Sequence, residues 1–417
     1  NEAIEYIHSL EKFGIKPGME RIRALCSELG NPQEKLKVIH VAGTNGKGSF
    51  CSMLDSVLRA AGYKTGLFTS PYITEFNERI RFCGENIDGG ELAAITEYVK
   101  PFADAMQDKP TEFELITAIG LEYFKRKGCD VVVLEAGMGG RLDSTNIIPT
   151  SLLSVITGIS LEHTAYLGDT VEKIAAEKAG IIKKNGTVLF GGEDGACARV
   201  IAERAKEMNA DFAVIDKSTL NIVRSDLNGS VFGYRGLCDV AISLSGLYQP
   251  QNAANVIAAV DVLNEKGFSI SEDALRRGLL AARWQARFEG ISRTPLVIFD
   301  GAHNPEGIEK AVESVKFYFG TQKVLVLTGV MKDKNYRYIA ERLSEIAAAA
   351  LTITPDNPRA LDAAEYAAVL ADVGVDATAY ASVADAVSAG KALAAEKNIP
   401  LVCLGSLYMY GEIKECI

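Results

Sequence analysis

What the sequence lacks narrows the field first. No apolar run approaches the roughly 18 residues that a membrane-crossing helix needs. The opening stretch NEAIEYIHSL has no basic-then-apolar signal pattern. The expectation is therefore a cytoplasmic protein with no membrane partner. No cluster of basic residues stands out, and 44 Lys plus Arg against 54 Asp plus Glu leave a net charge of −10. A nucleic-acid partner is not expected. Such an acidic chain must hold any anionic ligand with local donors and metal ions, not with its overall field. The eight cysteines are scattered and form no C-x-x-C pair. That argues against zinc and against a disulfide framework, and buried reduced thiols fit better. Histidine is scarce, with only His8, His40, His163 and His303.

What is present is a globular composition. The chain has 417 residues, 48% hydrophobic and 24% charged. That is enough for two or three domains and a large core. Short β-branched runs at 37–42, 130–135, 152–157 and 187–191 alternate with helical stretches such as 49–61 and 112–127. The alternation predicts a parallel sheet covered by helices. The texture changes at 211–244, where Asn228-Gly229 between two alternating runs predicts a hairpin turn and a small antiparallel patch. A helix is expected over 251–266. A second series of strands, at 296–299, 323–327, 351–354, 377–380 and 400–404, is interleaved with Ala-rich helices and predicts a Rossmann-like domain. The boundary is expected near 290–294.

The strongest local signal is an apolar strand running into Gly43-Thr44-Asn45-Gly46-Lys47-Gly48-Ser49, with a helix starting at once. Glycines let backbone N–H groups turn inward around phosphate oxygens, and the helix N-terminus adds partial positive charge. Lys47 is placed for the β- and γ-phosphates and Ser49 for Mg²⁺. The common NTPase fingerprint G-x-x-x-x-G-K-[ST] is not met: Val41 stands at its first glycine, and Gly48 separates Lys47 from Ser49.

Other residues are less decisive by themselves. Glu135 ends a strand before a glycine turn, which suits a Mg²⁺ ligand or a solvated residue equally. Ser70 before Pro71 reads as an exposed turn serine, and Lys178 as a solvated helical lysine near Gly180. Gln249 and Asn252 carry amides that suit either helix capping or a nucleotide edge. Phe113 with Glu114 and Thr117 suits an aromatic ring ligand or core packing. Leu142 and Asp143 follow the glycine turn.

The loop A-G-T-N-G-K-G-S resembles that of the folylpolyglutamate synthases, including the bifunctional dihydrofolate synthases, in the Mur ligase superfamily. Further motifs follow in family order: Thr69-Ser70-Pro71, Glu78-Arg79-Ile80, Phe113-Glu114, the run from Glu135 to Asp143, His163, Glu177-Lys178-Ala179-Gly180-Ile181, Arg287-Phe288-Glu289, Asp300-Gly301-Ala302-His303-Asn304-Pro305 and Gly405-Ser406-Leu407-Tyr408.

The resemblance implies an α/β fold: an N-terminal P-loop parallel-sheet ATPase domain over 1–290 with the small antiparallel β patch, plus a C-terminal Rossmann-like glutamate-ligase domain over 294–417. It implies ATP held by Thr44, Asn45, Gly46, Lys47, Gly48, Ser49, Asn252, Arg287, Asp300 and His303, between the domains. Two Mg²⁺ sites would involve Ser49, Ser70, Glu135 and His163. Lys178 would be carbamylated, and Lys47, Lys178, His163 and Arg287 would serve catalysis. Phe113, Glu114, Thr117, Leu142 and Asp143 would face the folate. Two departures stand out: Glu162 where the family usually has Asp, and Tyr72 where it often has His.

The implied activity is ATP-dependent addition of L-glutamate to the γ-carboxylate of a reduced folate through an acyl phosphate, by a monomer. Whether dihydropteroate is a second acceptor stays open. The alternatives are a Mur-type ligase acting on a UDP-linked cell-wall precursor, which the Gly48 insertion disfavours, and a nucleotide-binding regulatory module.

Overall fold

A computed structural model describes residues 2–14 and 16–417. It divides into two compact units, Asn1–Thr219 with Asn252–Ala282, and Leu220–Gln251 with Arg283–Ile417.

The first unit is built on eight strands: β1 (Val38–Ala42), β2 (Thr65–Phe68), β3 (Ile80–Phe82), β4 (Glu85–Asn86), β5 (Val131–Glu135), β6 (Leu153–Ile156), β7 (Thr187–Phe190) and β8 (Asp211–Val214). Their order is β4-β3-β2-β5-β1-β6-β7-β8. From β2 to β8 the pairing is parallel, and β3 and β4 add an antiparallel edge. Strands β1 and β5 are buried throughout, as continuous apolar runs in a covered parallel sheet should be. Leu115, Ile119 and Phe124 pack with Val132 and Leu134 in one cluster, and Ile181 and Ile201 with Ile156 and Val188 in another. The carboxyl ends of the central strands β1, β5 and β6 lie side by side, with Val41 paired to Glu135 and Ala42 to Ile156. Loops leaving that edge can meet, which is where open α/β sheets bind ligands.

The helix Glu112–Lys127 forms where expected, because its start and stop are both encoded locally. Thr111 and Glu114 make a reciprocal capping box, and Gly128 ends the helix at φ 62. The helix Glu272–Ala281 returns to this unit and crosses Lys47–Ala60 so closely that a Cβ on Gly278 would lie 2.4 Å from Val57 Cα.

The second unit holds a three-stranded antiparallel sheet, β9 (Asn221–Asp226), β10 (Gly229–Tyr234) and β11 (Leu237–Ile242). A turn joins β9 to β10 one residue earlier than expected, at Leu227-Asn228, with Gly229 already paired to Asp226 as the first residue of β10, and Asp226 accepts the Asn228 N–H at 2.7 Å. A side chain at Gly229 could not fit, since a Cβ would lie 2.0 Å from Ile242 O. The patch is shorter than expected: 211–214 is instead β8, paired in parallel to β7.

Six more strands follow: β12 (Glu289–Arg293), β13 (Leu296–Phe299), β14 (Val324–Thr328), β15 (Ala347–Thr352), β16 (Ala377–Ala379) and β17 (Leu401–Leu404). Their order is β12-β13-β17-β14-β15-β16. Two expectations are corrected. The stretch expected as a boundary near 290–294 contains β12, antiparallel to β13. The strand expected at 351–354 begins at Ala347, because a run of alanines, helix-forming by propensity, is drawn into the sheet between β14 and β16. All eight cysteines are free. Among the described residues no helix is long and apolar enough to cross a membrane.

Candidate functional site

Strand β1 ends at Ala42, and Gly43 to Gly46 turn the chain into the helix Lys47–Ala60. Gly43 (φ 151) and Gly46 (φ 83) are required here: a Cβ would lie 2.0 Å from Thr157 Oγ1 at the first and 2.6 Å from Asn252 Oδ1 at the second. The loop is pinned from β6 onward, since Thr44 N–H donates to Gly158 O (2.8 Å) and Thr157 Oγ1 donates to Asn45 O (2.7 Å). No side chain caps the helix at Gly46. Such a helix start presents first-turn N–H groups to an anion. Ser49 is buried in that first turn. Asn252, in the helix Gln249–Glu265, lies against the loop at Gly46.

Two lysines meet at one carbonyl. Lys47 Nζ donates to Gly43 O at 3.0 Å and to Thr44 O at 3.2 Å, and Lys178 Nζ donates to the same Gly43 O at 2.8 Å. Lys178 is 4% exposed, which sets aside its plainer reading as a solvated helical lysine. Burial, with the nearby charge of Lys47 adding, brings its amine down to about 7, against the pull of Glu162 and Asp143. The helix Val171–Ala179 carries Lys178 into place by packing on the glycine turn. A Cβ on Gly140 would lie 2.8 Å from Glu177 O, and one on Gly180 2.4 Å from Arg141 Cα. Only glycine allows that approach.

Glu135 ends β5, is buried, and accepts the Ser70 N–H at 3.1 Å. A buried carboxylate beside a serine is an oxygen donor set of the kind Mg²⁺ takes, and Ser49 lies in the first turn after the loop. The residues present therefore fit the ion. His163 differs: its side chain is exposed, in the left-handed region (φ 51), with Nε2 4.0 Å from Glu162 Oε1. Among the described residues, the trio of His, Cys, Asp or Glu side chains with donor atoms close enough for one ion is elsewhere, at His8, Glu11 and Glu112.

The residues expected to face a folate separate into two kinds. The Phe113 ring lies over Gly137, where a Cβ would be 2.6 Å from Phe113 Cζ, and Leu142 is exposed. Glu114, Thr117 and Asp143 are engaged in hydrogen bonds within the fold. Glu114 is buried and accepts from Thr111 N (2.7 Å) and Arg21 Nε (3.0 Å). Thr117 is buried, and its hydroxyl donates to Phe113 O at 2.7 Å. Asp143 accepts the Met138 N–H (2.8 Å), the Thr145 N–H (3.0 Å) and the Thr145 hydroxyl (2.5 Å), so it braces the glycine turn. His40 completes this network from β1. Its Nε2 lies 2.8 Å from Thr145 Oγ1, whose proton goes to Asp143, so Nε2 carries the hydrogen. Burial pushes His40 down to about 3, leaving it neutral. The sequence offers no signal for His40 beyond a polar residue in an apolar strand.

In the second unit, Asn304 caps the helix Pro305–Phe319 and Pro305 opens it, which explains the Asn-Pro of that motif. His303 Nδ1 donates to Gly301 O at 2.8 Å. Asp300 is buried and accepts from Ala302 N (2.8 Å), Phe288 N (2.9 Å) and Tyr248 Oη (2.5 Å). Arg287 stands beside this carboxylate, its Nη1 donating to Ala286 O at 3.0 Å. Tyr248 was not foreseen; a lone tyrosine before a helix carries no pattern.

A glycine loop between a central parallel strand and a helix, with a lysine in its first turn and a buried carboxylate on the neighbouring strand, defines a phosphate-binding α/β protein. The Mur ligase middle domain matches residues 41–260, and the Mur ligase glutamate ligase domain matches 286–407. The chain belongs to the Mur ligase family, in its folylpolyglutamate and dihydrofolate synthase branch. It is 40% identical over 370 residues to the dihydrofolate synthase/folylpolyglutamate synthase of Bacillus subtilis, covering 86% of each chain. It is 36% identical to the folylpolyglutamate synthase of Lacticaseibacillus casei, covering 100% of this chain and 98% of that one. Among solved structures, Mycobacterium tuberculosis folylpolyglutamate synthase complexed with ADP and AMPPCP is similar with a TM-score of 0.91 at 28% identity, covering 99% and 97% of the two chains. Escherichia coli FolC in complex with DHPP and ADP gives 0.87 at 31%, again covering 99% and 97%.

Proposed function

We propose that this chain is an ATP-dependent ligase that joins L-glutamate to the γ-carboxylate of a reduced folate. The observation that carries the reading is the pair of lysines on Gly43 O, one half-buried in the loop and one buried with a depressed pKa. Thr44 to Ser49 would wrap the phosphates of ATP with backbone N–H groups, and Lys47 would swing from the loop carbonyls to the phosphate oxygens. Asn252, against Gly46, would fix the nucleotide from the side. Arg287 and His303 are proposed as further nucleotide contacts from the second unit, with Asp300 holding the Arg287 segment.

The folate carboxylate oxygen attacks the γ-phosphorus, the bond to the β-phosphate oxygen breaks, and ADP leaves. The glutamate amine then attacks the acyl carbon, phosphate departs, and the amine gives up a proton. Lys47 and Arg287 would spread the charge of the transferring group. Ser49, Ser70 and Glu135, with His163 from its exposed loop, would hold Mg²⁺ in two sites. The ion supplies charge neutralisation of the phosphates. Lys178, as a neutral amine, adds to CO₂ with loss of a proton, giving a carbamate whose negative charge suits a second cation. Phe113 and Leu142 would contact the ring system of the folate.

The folylpolyglutamate synthase names of the relatives support a folate as the acceptor, and their dihydrofolate synthase names support dihydropteroate as a second one. We assign the reaction to a monomer in the cytoplasm, with light scattering as the check on the former. The test is ADP release by purified protein with tetrahydrofolate, dihydropteroate or a UDP-linked cell-wall precursor, each with and without glutamate. Release should require glutamate and a pteridine acceptor, and Lys47→Ala should abolish it. Equal turnover with ATP alone would mean a nucleotide-binding regulatory module, and turnover with only the UDP-linked precursor a cell-wall ligase.

A further inference from the structure

Arg287 sits in a segment whose backbone is unusual on both sides. Ala286 has φ 56 and Phe288 has φ 47, and neither is glycine. Both side chains are fully buried. A bulky residue in the left-handed region persists only where its surroundings hold it there, and such positions concentrate at functional sites.

What holds it is a pair of matching brackets. On one side the Ala286 N–H donates to Glu289 Oε2 (2.8 Å), which also accepts from Tyr410 Oη (2.8 Å). On the other the Phe288 N–H donates to Asp300 Oδ2 (2.9 Å), which also accepts from Tyr248 Oη (2.5 Å). Each N–H flanking the arginine thus ends on a carboxylate, and each carboxylate is oriented by a tyrosine hydroxyl. Tyr410 is in turn held by Lys414 Nζ at 2.8 Å. The Ala286 carbonyl is fixed as well, accepting from Gly301 N–H at 2.9 Å and from Arg287 Nη1 at 3.0 Å. A Cβ on Gly301 would lie 2.7 Å from Arg287 Nη1, so the guanidinium lies across that glycine. Asp300 directs its oxygens to N–H and O–H donors, so its charge acts on the nearby Arg287 without a direct hydrogen bond to the guanidinium.

A guanidinium positioned this firmly, beside a carboxylate whose oxygens are already taken by N–H and O–H donors, is arranged for an incoming anion. We propose that Tyr248 and Tyr410 are positioning residues that, through Asp300 and Glu289, hold Arg287 in the orientation it uses on a phosphate of ATP. This rests on the nucleotide role given to Arg287 above.

The test is steady-state ADP release by the full chain with ATP, tetrahydrofolate and glutamate. Tyr248→Phe and Tyr410→Phe keep the rings and remove only the hydroxyls. Each should lower kcat/KM for ATP about tenfold, since small misplacements of a binding group are costly, while KM for glutamate and folate stays within about twofold. Glu289→Gln, which keeps an acceptor oxygen for Ala286 N–H, should lose less than Glu289→Ala. In an Arg287→Ala background neither tyrosine change should have a further effect. Losses that multiply with Arg287→Ala would overturn the bracket. So would a lowered unfolding midpoint with unchanged ATP kinetics, which marks the tyrosines as structural. Unchanged ATP kinetics for Arg287→Ala alone would overturn the nucleotide role of the arginine, and the bracket with it.

Discussion

Replacing Lys178 with methionine should make the protein more stable while destroying its activity. The amine is 4% exposed and is brought from 10.5 to about 7, chiefly by burial. A shift of that size corresponds to roughly 5 kcal/mol between the two protonation states. In the unfolded chain the amine binds a proton up to its ordinary value, and in the folded chain only up to about 7. The unfolded state therefore holds more protons between those limits, and wild-type stability rises with pH across the window. The full penalty applies below it and vanishes above it. At pH 7.5 about 4 kcal/mol of it remains. Methionine is of similar length, needs no proton, and forfeits one hydrogen bond, to Gly43 O, of about 1 kcal/mol. Lys178→Met should thus gain about 3 kcal/mol, a rise of roughly 6–12 °C in the unfolding midpoint of a unit this size. The assay is calorimetry at pH 7.5 and 9.5 in CO₂-free, metal-free buffer, with ADP release measured beside it. A variant no more stable than wild type at pH 7.5, or an advantage that does not shrink by pH 9.5, would refute the reasoning. Confirmation would mean that a costly buried amine is retained for its chemistry.

Uptake of ¹³C-labelled CO₂ by Lys178 should follow the neutral amine, half-complete near pH 7 and nearly so one unit higher, whereas an ordinary lysine would require pH above about 9; carbamate NMR signals on wild type and Lys178→Met decide it. Glu114→Ala should cost about 3 kcal/mol by removing the buried carboxylate partner of Arg21, which keeps only the exposed Asp108 and the Lys16 carbonyl, and by opening the capping box of Glu112–Lys127; denaturation at pH 7 measures it. Gly278→Ala should cost about 1–3 kcal/mol through the close contact with Val57, with ATP binding retained at temperatures where the variant is folded.

Much of this molecule is written in short stretches of its sequence. Strands β1, β5, β13 and β17 are legible as apolar runs because a parallel strand covered on both faces has no alternation to obey. The helix Glu112–Lys127 carries its own cap and stop, Asn304-Pro305 announces the helix Pro305–Phe319, and the Asn228-Gly229 pair marks a reversal to within one residue. The phosphate loop is equally local, since its chemistry is that of its own backbone and one lysine. Tertiary structure alone decided the rest. Alanines 347–350 became strand because two neighbouring strands offered hydrogen bonds that outweigh a weak helical preference. Lys178 looks like a surface lysine along its helix and is buried only because the glycine turn packs against that helix. Asp143 and Glu114 look like ligand groups, yet their partners Thr145, Met138 and Arg21 take them up. Tyr248 and Tyr410 carry no pattern at all, because what unites them is a shared hold on the Arg287 segment from far-apart positions in the chain. Local propensity and backbone geometry can be read from neighbouring residues. Desolvation and long-range hydrogen bonding exist only once distant segments have met.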